Sequence, residues 1–359
     1  MPEQDVLPIE HPEDAPVAKT YYELRDEHRT RRSAVGTTAP GSLVTFAGIP
    51  EEKDAYNPSG VFMHDGEAFQ WARIESRDAQ DAVSMLFRRT EETIFEPVIG
   101  APILSLEDPF TAWIDDTLVV GGVEILKDEH GTVVGYRTQF FKGSSPFELE
   151  HFSCGPDDMK DIRFATCVPN GAGNGIFVFT RPYIPEAARM VGRVAVTAIG
   201  SLDELAPGRL TPEHTEIVPH LFAEGEWGGV NDAYTLPNGL VGALAHVAKY
   251  DSDWKRHYAA AVFVIDPYAR LCSPLTMIAE RGDFPMGPVK IMPEYQDRPD
   301  MYDDLADVIF PSRLSATDGD FLTASTLDLT CGLSDAATGV LQIPNPFPEI
   351  CREYFPARG

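Results

Sequence analysis

Positive charge is scarce in this sequence. Its 359 residues hold 29 lysines and arginines against 56 aspartates and glutamates, a formal net charge of −27. That balance argues against nucleic acid or an anionic membrane as a partner, since basic patches hold both. It leaves room for a local anion site built from a few inward-facing arginines. Cysteine is sparse as well. Cys154, Cys167, Cys272, Cys331 and Cys351 are scattered, odd in number and without CxxC spacing, so neither a disulfide framework nor a zinc site is expected. The sequence has no P-loop, Rossmann fingerprint, HExxH or Gly-x-Ser-x-Gly, so no metal and no organic cofactor is implied. It has no apolar run long enough to span a bilayer and no basic stretch leading into an apolar one at its start. A cytoplasmic protein is therefore expected. An oligomer stays open.

Turn chemistry is abundant. There are 30 prolines and 29 glycines, and 43% of the residues are apolar, which supports a large core. Short β-rich runs recur between Gly, Asp, Asn and Pro, such as Leu43-Val-Thr-Phe, Phe69-Gln-Trp-Ala-Arg, Phe177-Val-Phe-Thr-Arg and Ala260-Ala-Val-Phe-Val-Ile. Such a pattern indicates an all-β sandwich, barrel or propeller. Helix is expected only at Tyr21–Arg32, within a polar arm covering 1–40, and at Asp78–Arg89 and Asp300–Ala306. Gly171–Gly175 reads as a hairpin turn.

A weak rhythm separates the architectures. A polar or acidic strand mouth, an apolar strand, a Gly/Asp/Asn turn and a second apolar strand recur five times. The mouths are at Asp54–Asn57, Glu107–Pro109, Lys160–Arg163, Asn231-Asp232 and Asp307–Ile309. A spacing of roughly 50 to 75 residues suits four-stranded blades, so a five-bladed β-propeller over 41–348 is expected, with 349–359 as a C-terminal tail. The five mouths would converge on one axial active-site pocket.

Several residues could carry chemistry there. Glu107 and Asp108 precede Pro109 at a strand mouth. Read alone, the pair fits a solvated turn as readily as a site. Asp161, Asp232 and Asp335 are further acids at comparable positions, and paired carboxylates are the usual equipment for cleaving glycosidic bonds. Arg73 and Arg181 lie in apolar strands, and His246 and Lys249 follow one. A buried charge in a strand needs a partner, so each either pairs with a nearby acid such as Glu75 or binds oxyanions or sugar hydroxyls. Trp227, flanked by Glu226 and two glycines, is the best candidate for a sugar-stacking platform.

Six stretches, in order, resemble the domain-of-unknown-function family 1861. They are Leu106-Glu-Asp-Pro with Ile114-Asp-Asp; Lys160-Asp-Ile-Arg-Phe; Phe177-Val-Phe-Thr-Arg-Pro; Trp227-Gly-Gly-Val-Asn-Asp; Asp307-Val-Ile-Phe-Pro; and Gly332-Leu-Ser-Asp-Ala with Ile343-Pro-Asn-Pro-Phe. That family is related to the Leishmania-type β-1,2-mannan mannosyltransferase/phosphorylases. These in turn resemble the mannoside phosphorylases of glycoside hydrolase family 130. The resemblance covers about residues 43–347. It implies a five-bladed propeller that transfers mannose, with inversion, between a β-mannoside and inorganic phosphate as co-substrate, or from mannose 1-phosphate. By this match Asp108 is the catalytic acid, protonating the glycosidic oxygen through a sugar hydroxyl. Asn57, Ser59, Arg73 and Asp335 hold the mannose; Glu107, Asp161 and Asp232, to which the match gives no role, are expected as further substrate contacts from their place at the strand mouths. Arg181, His246 and Tyr258 bind phosphate.

The sequence departs from the phosphorylase pattern twice. Phe110 stands where those enzymes carry arginine. Glu226-Trp227 stands where they carry a phosphate-binding lysine, a role Lys249 could fill here. An inverting β-mannosidase, with Asp232, Asp161 or Glu75 as a second acid, and a non-catalytic glycan-binding propeller are the competing readings.

Overall fold

The computed structural model describes residues 17–34, 39–167, 175–186, 189–269, 271–292, 295, 297–316 and 320–356. Within these residues the protein is all-β apart from two α-helices and short 3₁₀ turns. Gly171–Asn174 of the expected hairpin turn lie outside the described residues.

Five successive antiparallel groups follow the chain. The first is built on Lys53–Tyr56, Glu67–Ser76, Val83–Glu91 and Ile94–Pro97, with a short Phe62–His64 strand beside it. The second runs Glu107–Ile114, Thr117–Lys127, Val133–Ser145 and Glu148–Cys154. The third runs Arg163–Cys167, Gly175–Thr180, Ala195–Ile199 and Glu216–Ile217. A separate hairpin, Tyr183–Glu186 with Arg189–Gly192, is inserted before its third strand. The fourth runs Trp227–Thr235, Val241–Tyr250 and Arg256–Asp266, with Leu271–Cys272 and Thr276–Ala279 both paired to that last strand. The fifth runs Asp307–Ala316, Thr326–Leu333 and Ala337–Pro344. The N-terminal strand Ser42–Phe46 pairs antiparallel with Ala337–Pro344, so the two ends of the chain share one group. It also pairs in parallel with Ile94–Pro97 of the first group.

Sequence explains the most buried strands. Val241–Tyr250 and Arg256–Asp266 carry small and branched apolar residues on both faces, as strands covered on both sides do. Their even and odd residues fall into two separate core clusters. Ala243, Ala245 and Val247 lie in one, and Leu244, Ala260 and Val262 in the other. Asp65-Gly66, both at positive φ, form the two-residue hairpin joining His64 to Glu67.

Two helix expectations are corrected. Over Asp78–Arg89 the chain makes a turn and then the strand Val83–Glu91. Val83, Met85 and Phe87 pair across to the second strand of the first group, and the Asp81 carboxylate accepts from Ser76 N–H to close the turn. Ladder bonds to an apolar neighbour outweigh helix propensity there. Over Asp300–Ala306 there is only a 3₁₀ turn, Pro299–Met301, followed by turns.

The helix expected at Tyr21–Arg32 is present as Tyr21–Ala34. It packs on the fourth group, with Tyr21 and Leu24 sealed from solvent. A second helix, Phe347–Tyr354, buries Phe347 and Ile350 against the fourth and fifth groups. Among the described residues no helix is long and apolar enough to cross a membrane.

Candidate functional site

Four polar residues at strand ends and turns hold unusual backbone. Asn57, Asp108, Asp161 and Asp335 all have positive φ, between 42° and 59°. Asn and Asp tolerate this region better than other side-chain-bearing residues, and non-glycine residues held there cluster at functional sites. Register shifts interrupt the first strand of three groups, between Glu107 and Phe110, Val230 and Asp232, and Pro311 and Arg313. Such bulges re-aim side chains next to active sites.

The first cluster is anionic. Asn57 Nδ2 donates to Asp108 Oδ1 at 2.9 Å and to Asp335 Oδ1 at 3.3 Å. Arg73 donates to Asp108 Oδ1 at 3.1 Å and to Glu75 Oε2 at 2.7 Å, and lies 3.1 Å from Glu107. Four residues placed on substrate from sequence (Asn57, Arg73, Glu107 and Asp335) thus surround the proposed acid. The Asp108 side chain keeps 13% of its surface exposed, while that of Glu75 keeps none. Burial raises the carboxyl pKa of Glu107, Arg73 opposes it, and Asp108 adds to the rise. Asp335 is raised in the same way. Gly332 makes room for Asn57, since a Cβ there would meet Asn57 Oδ1 at 1.7 Å.

The second cluster is cationic. Arg181 donates to Asp161 Oδ2 at 2.7 Å, with both side chains nearly sealed from solvent. Burial disfavours the Asp161 charge, but Arg181, His246 and Lys160 override it and hold its pKa at about 2. Arg181 lies against Gly192 and Gly229, whose added Cβ atoms would fall 2.3 Å and 3.0 Å from it. His246 is 1% exposed. Its Nδ1 sits 2.8 Å from Asn231 Oδ1, and its ring stacks on Tyr258 at 5.6 Å. Burial, opposed by Asp161, drops its pKa to about 3, so the ring is neutral. The negative charge of Asp108 in the first cluster favours the charged forms of Lys160 and Arg163.

Three candidates from the sequence lie away from an open site. Ser59 does not face the site. Its hydroxyl is buried, donates to Gly60 C=O and accepts from Trp71 N–H. Lys249 lies three residues beyond His246, on the opposite strand face. Its ammonium sits 3.9 Å from the Tyr22 ring of the N-terminal helix. Trp227 is no open platform: it is 8% exposed, packs against Tyr250 and donates to Tyr258 Oη. Glu75 is a buried ion-pair partner, not a base open to water. Asp232 lies 3.7 Å from Arg313, and burial raises its pKa.

Both departures from the phosphorylase pattern have structural roles. The Phe110 ring packs in the core below Arg163, whose guanidinium lies 4.1 Å from its centroid. Glu226 accepts from Tyr21 N–H at 2.8 and 3.0 Å, satisfying an orphan donor at the start of the N-terminal helix.

The lysine that reaches the cationic cluster is Lys160. It is held charged by Asp161, against burial and Arg181. Tyr183 also faces it, with its pKa lowered: burial opposes ionisation, but Arg181 and Lys160 outweigh it. Position next to Asp161 was the only sequence signal for Lys160. Tyr183 gave none, since its hairpin is an insertion.

Comparison with solved structures gives a match to MPT-4, a mannose phosphorylase from Leishmania mexicana in complex with phosphate ion. The TM-score is 0.77 at 28% identity, covering 91% of this chain and 95% of that one. MPT-1, a GDP-Man-dependent mannosyltransferase from Leishmania mexicana, matches with TM-score 0.74 at 26% identity, covering 90% and 95%. A β-1,2-mannobiose phosphorylase from Listeria innocua shares the fold with TM-score 0.54 at 14% identity, covering 85% and 94%. No curated protein sequence matches the chain. The family described as protein of unknown function DUF1861 matches residues 31–349, and the chain belongs to that family.

Proposed function

We propose that the protein is an inverting β-mannoside phosphorylase or mannosyltransferase. It acts on β-1,2-linked mannosides with phosphate, or in reverse with mannose 1-phosphate or a related mannosyl donor. Its five strand groups form a closed five-bladed propeller over 41–348, and the mouths of the innermost strands line the axial pocket. One observation carries this reading. Asp108, partly exposed, accepts from Asn57 and Arg73 and lies within electrostatic reach of Lys160 and Arg163, while Arg181 is buried on Asp161.

In the breakdown direction, phosphate rests against Arg181, Lys160, Tyr258 and His246. With His246 Nδ1 donating to Asn231, Nε2 accepts, which suits the single hydroxyl of monoprotonated phosphate. A phosphate oxygen attacks the anomeric carbon as the bond to the glycosidic oxygen breaks. Asp108 supplies the proton that oxygen takes up, passed through a sugar hydroxyl. Asn57, Arg73, Glu107 and Asp335 hold the mannose. Phosphate is already nucleophilic, so no second base is needed.

A hydrolase would need a second carboxylate to activate water. Glu75 and Asp161 are tied to buried cations, which leaves Asp232, 13% exposed and 3.7 Å from Arg313, as the one candidate of the three for that task. The relatedness to MPT-4 and MPT-1 supports an enzyme acting on mannosides.

The test is incubation with mannose 1-phosphate and mannose, following released phosphate and oligomannoside, with GDP-mannose in parallel. Failure to turn over any mannosyl donor sinks the reading. Mannose release without phosphate would instead establish the hydrolase.

A further inference from the structure

Arg73 faces three carboxylates at once: Glu75 at 2.7 Å, and Glu107 and Asp108 at 3.1 Å each. Residues 73 and 75 lie on one face of one strand, so Glu75 competes directly with Asp108 for this guanidinium. A second cation decides the competition. Lys290, 3% exposed, reaches Glu75 Oε2 from 215 residues away in sequence. It lies in the connection between the fourth and fifth groups. Its ammonium also donates to Ala79 C=O at 3.1 Å and sits 3.3 Å from Tyr56 Oη. Its backbone N–H donates to Ser334 C=O at 3.0 Å, next to Asp335. One short segment thus braces both flanks of the anionic cluster.

We propose that Lys290 is a positioning residue for Asp108. By neutralising Glu75, it leaves Arg73 free to hold Asp108 and Glu107. Without it, Glu75 would be a buried anion with Arg73 as its one remaining cation, and the guanidinium would be drawn away from the proton donor. This rests on the reading of Asp108 as the acid. The charged groups facing Asp108 are Arg73, Glu107, Asp335, Lys160 and Arg163. All stay in place when Lys290 alone is changed, except that Arg73 shifts toward Glu75.

The experiment compares Lys290→Met, Lys290→Arg and the double variant Glu75→Gln/Lys290→Met with the native protein. Lys290→Met should lower kcat by about a hundredfold, the usual cost of misplacing a reacting group by about 1 Å. KM for phosphate should stay within about twofold, because the Arg181 cluster is untouched. The alkaline limb of the pH–rate profile should move up, since a carboxylate that loses a cation holds its proton to higher pH. Lys290→Arg should restore most of the rate. So should the double variant, which removes both charges together and covers the case in which Lys290→Met fails to fold. An unmoved pH profile, or a phosphate KM that rises as kcat falls, overturns the proposal. If the native protein turns over no mannoside, carboxyl NMR decides separately, with the Asp108 signal assigned by Asp108→Asn. An Asp108 titration midpoint unchanged in Lys290→Met refutes the positioning role.

Discussion

The side-chain amide of Asn57 donates to Asp108 Oδ1 at 2.9 Å across 51 residues of sequence. Arg73 donates to that same oxygen, so among the described residues both donors converge on Oδ1. An asparagine at 108 keeps an oxygen for both donors. Asp108→Asn should therefore fold normally and bind mannoside, yet lose about 10²–10⁴-fold in turnover. Turnover assays beside a thermal melt check this. An unchanged rate would favour the non-catalytic propeller.

The cationic cluster separates two lysines. Lys160→Met should raise KM for phosphate at least tenfold, whereas Lys249→Ala should leave it unchanged, because Lys249 sits on the far strand face over Tyr22. Phosphate-dependent initial rates distinguish them.

Removing Arg181 strands a buried anion. Arg181→Met should destabilise the protein by about 3–5 kcal/mol, the range for breaking a buried ion pair from one side. Chemical unfolding measures it. A loss below about 1 kcal/mol would mean that Asp161 is not held by Arg181.

Two buried groups make the protein acid-sensitive. His246 has a folded pKa of about 3, below its unfolded value near 6.5. Between these pH values the unfolded chain binds a proton that the folded protein refuses, so stability falls as pH drops through this window. Asp161, held at about 2 from a model value of 3.8, adds stability above 3.8 that is lost as pH falls toward 2. Urea midpoints at about pH 7 and about pH 4.5 should differ less in His246→Gln than in the native protein, because glutamine takes up no proton.

Restoring the arginine of the phosphorylase pattern should fail here. Phe110→Arg would place a second cation where Phe110 now lies, about 4 Å below Arg163 and inside a core cluster. It should destabilise the protein without lowering KM for phosphate. Unfolding midpoints and phosphate kinetics report both.

Much of the site was legible because its chemistry follows the strand mouths. Polar strand entries and the family resemblance marked Asn57, Asp108, Asp161 and Asp335, and the structure shows all four at positive φ. Alternation along strands also placed Arg73 with Glu75. Less legible were residues whose role comes from another part of the chain. Ser59 looked available but is consumed by Trp71 and Gly60. Lys249 looked close to His246 but points to a helix. Lys290 gave no signal, because its partner Glu75 is 215 residues away.

By itself the sequence determined the all-β class and the polar strand mouths, because turn chemistry and strand alternation are local properties; Asp108 was singled out by the family resemblance. Only the tertiary structure decided which cation each carboxylate keeps. Arg181 is bound to Asp161, Lys290 to Glu75, and Arg73 is shared with Asp108. A buried charge takes whatever opposite charge the packed strands bring within hydrogen-bond reach, and that proximity is set by the fold and not by distance along the chain.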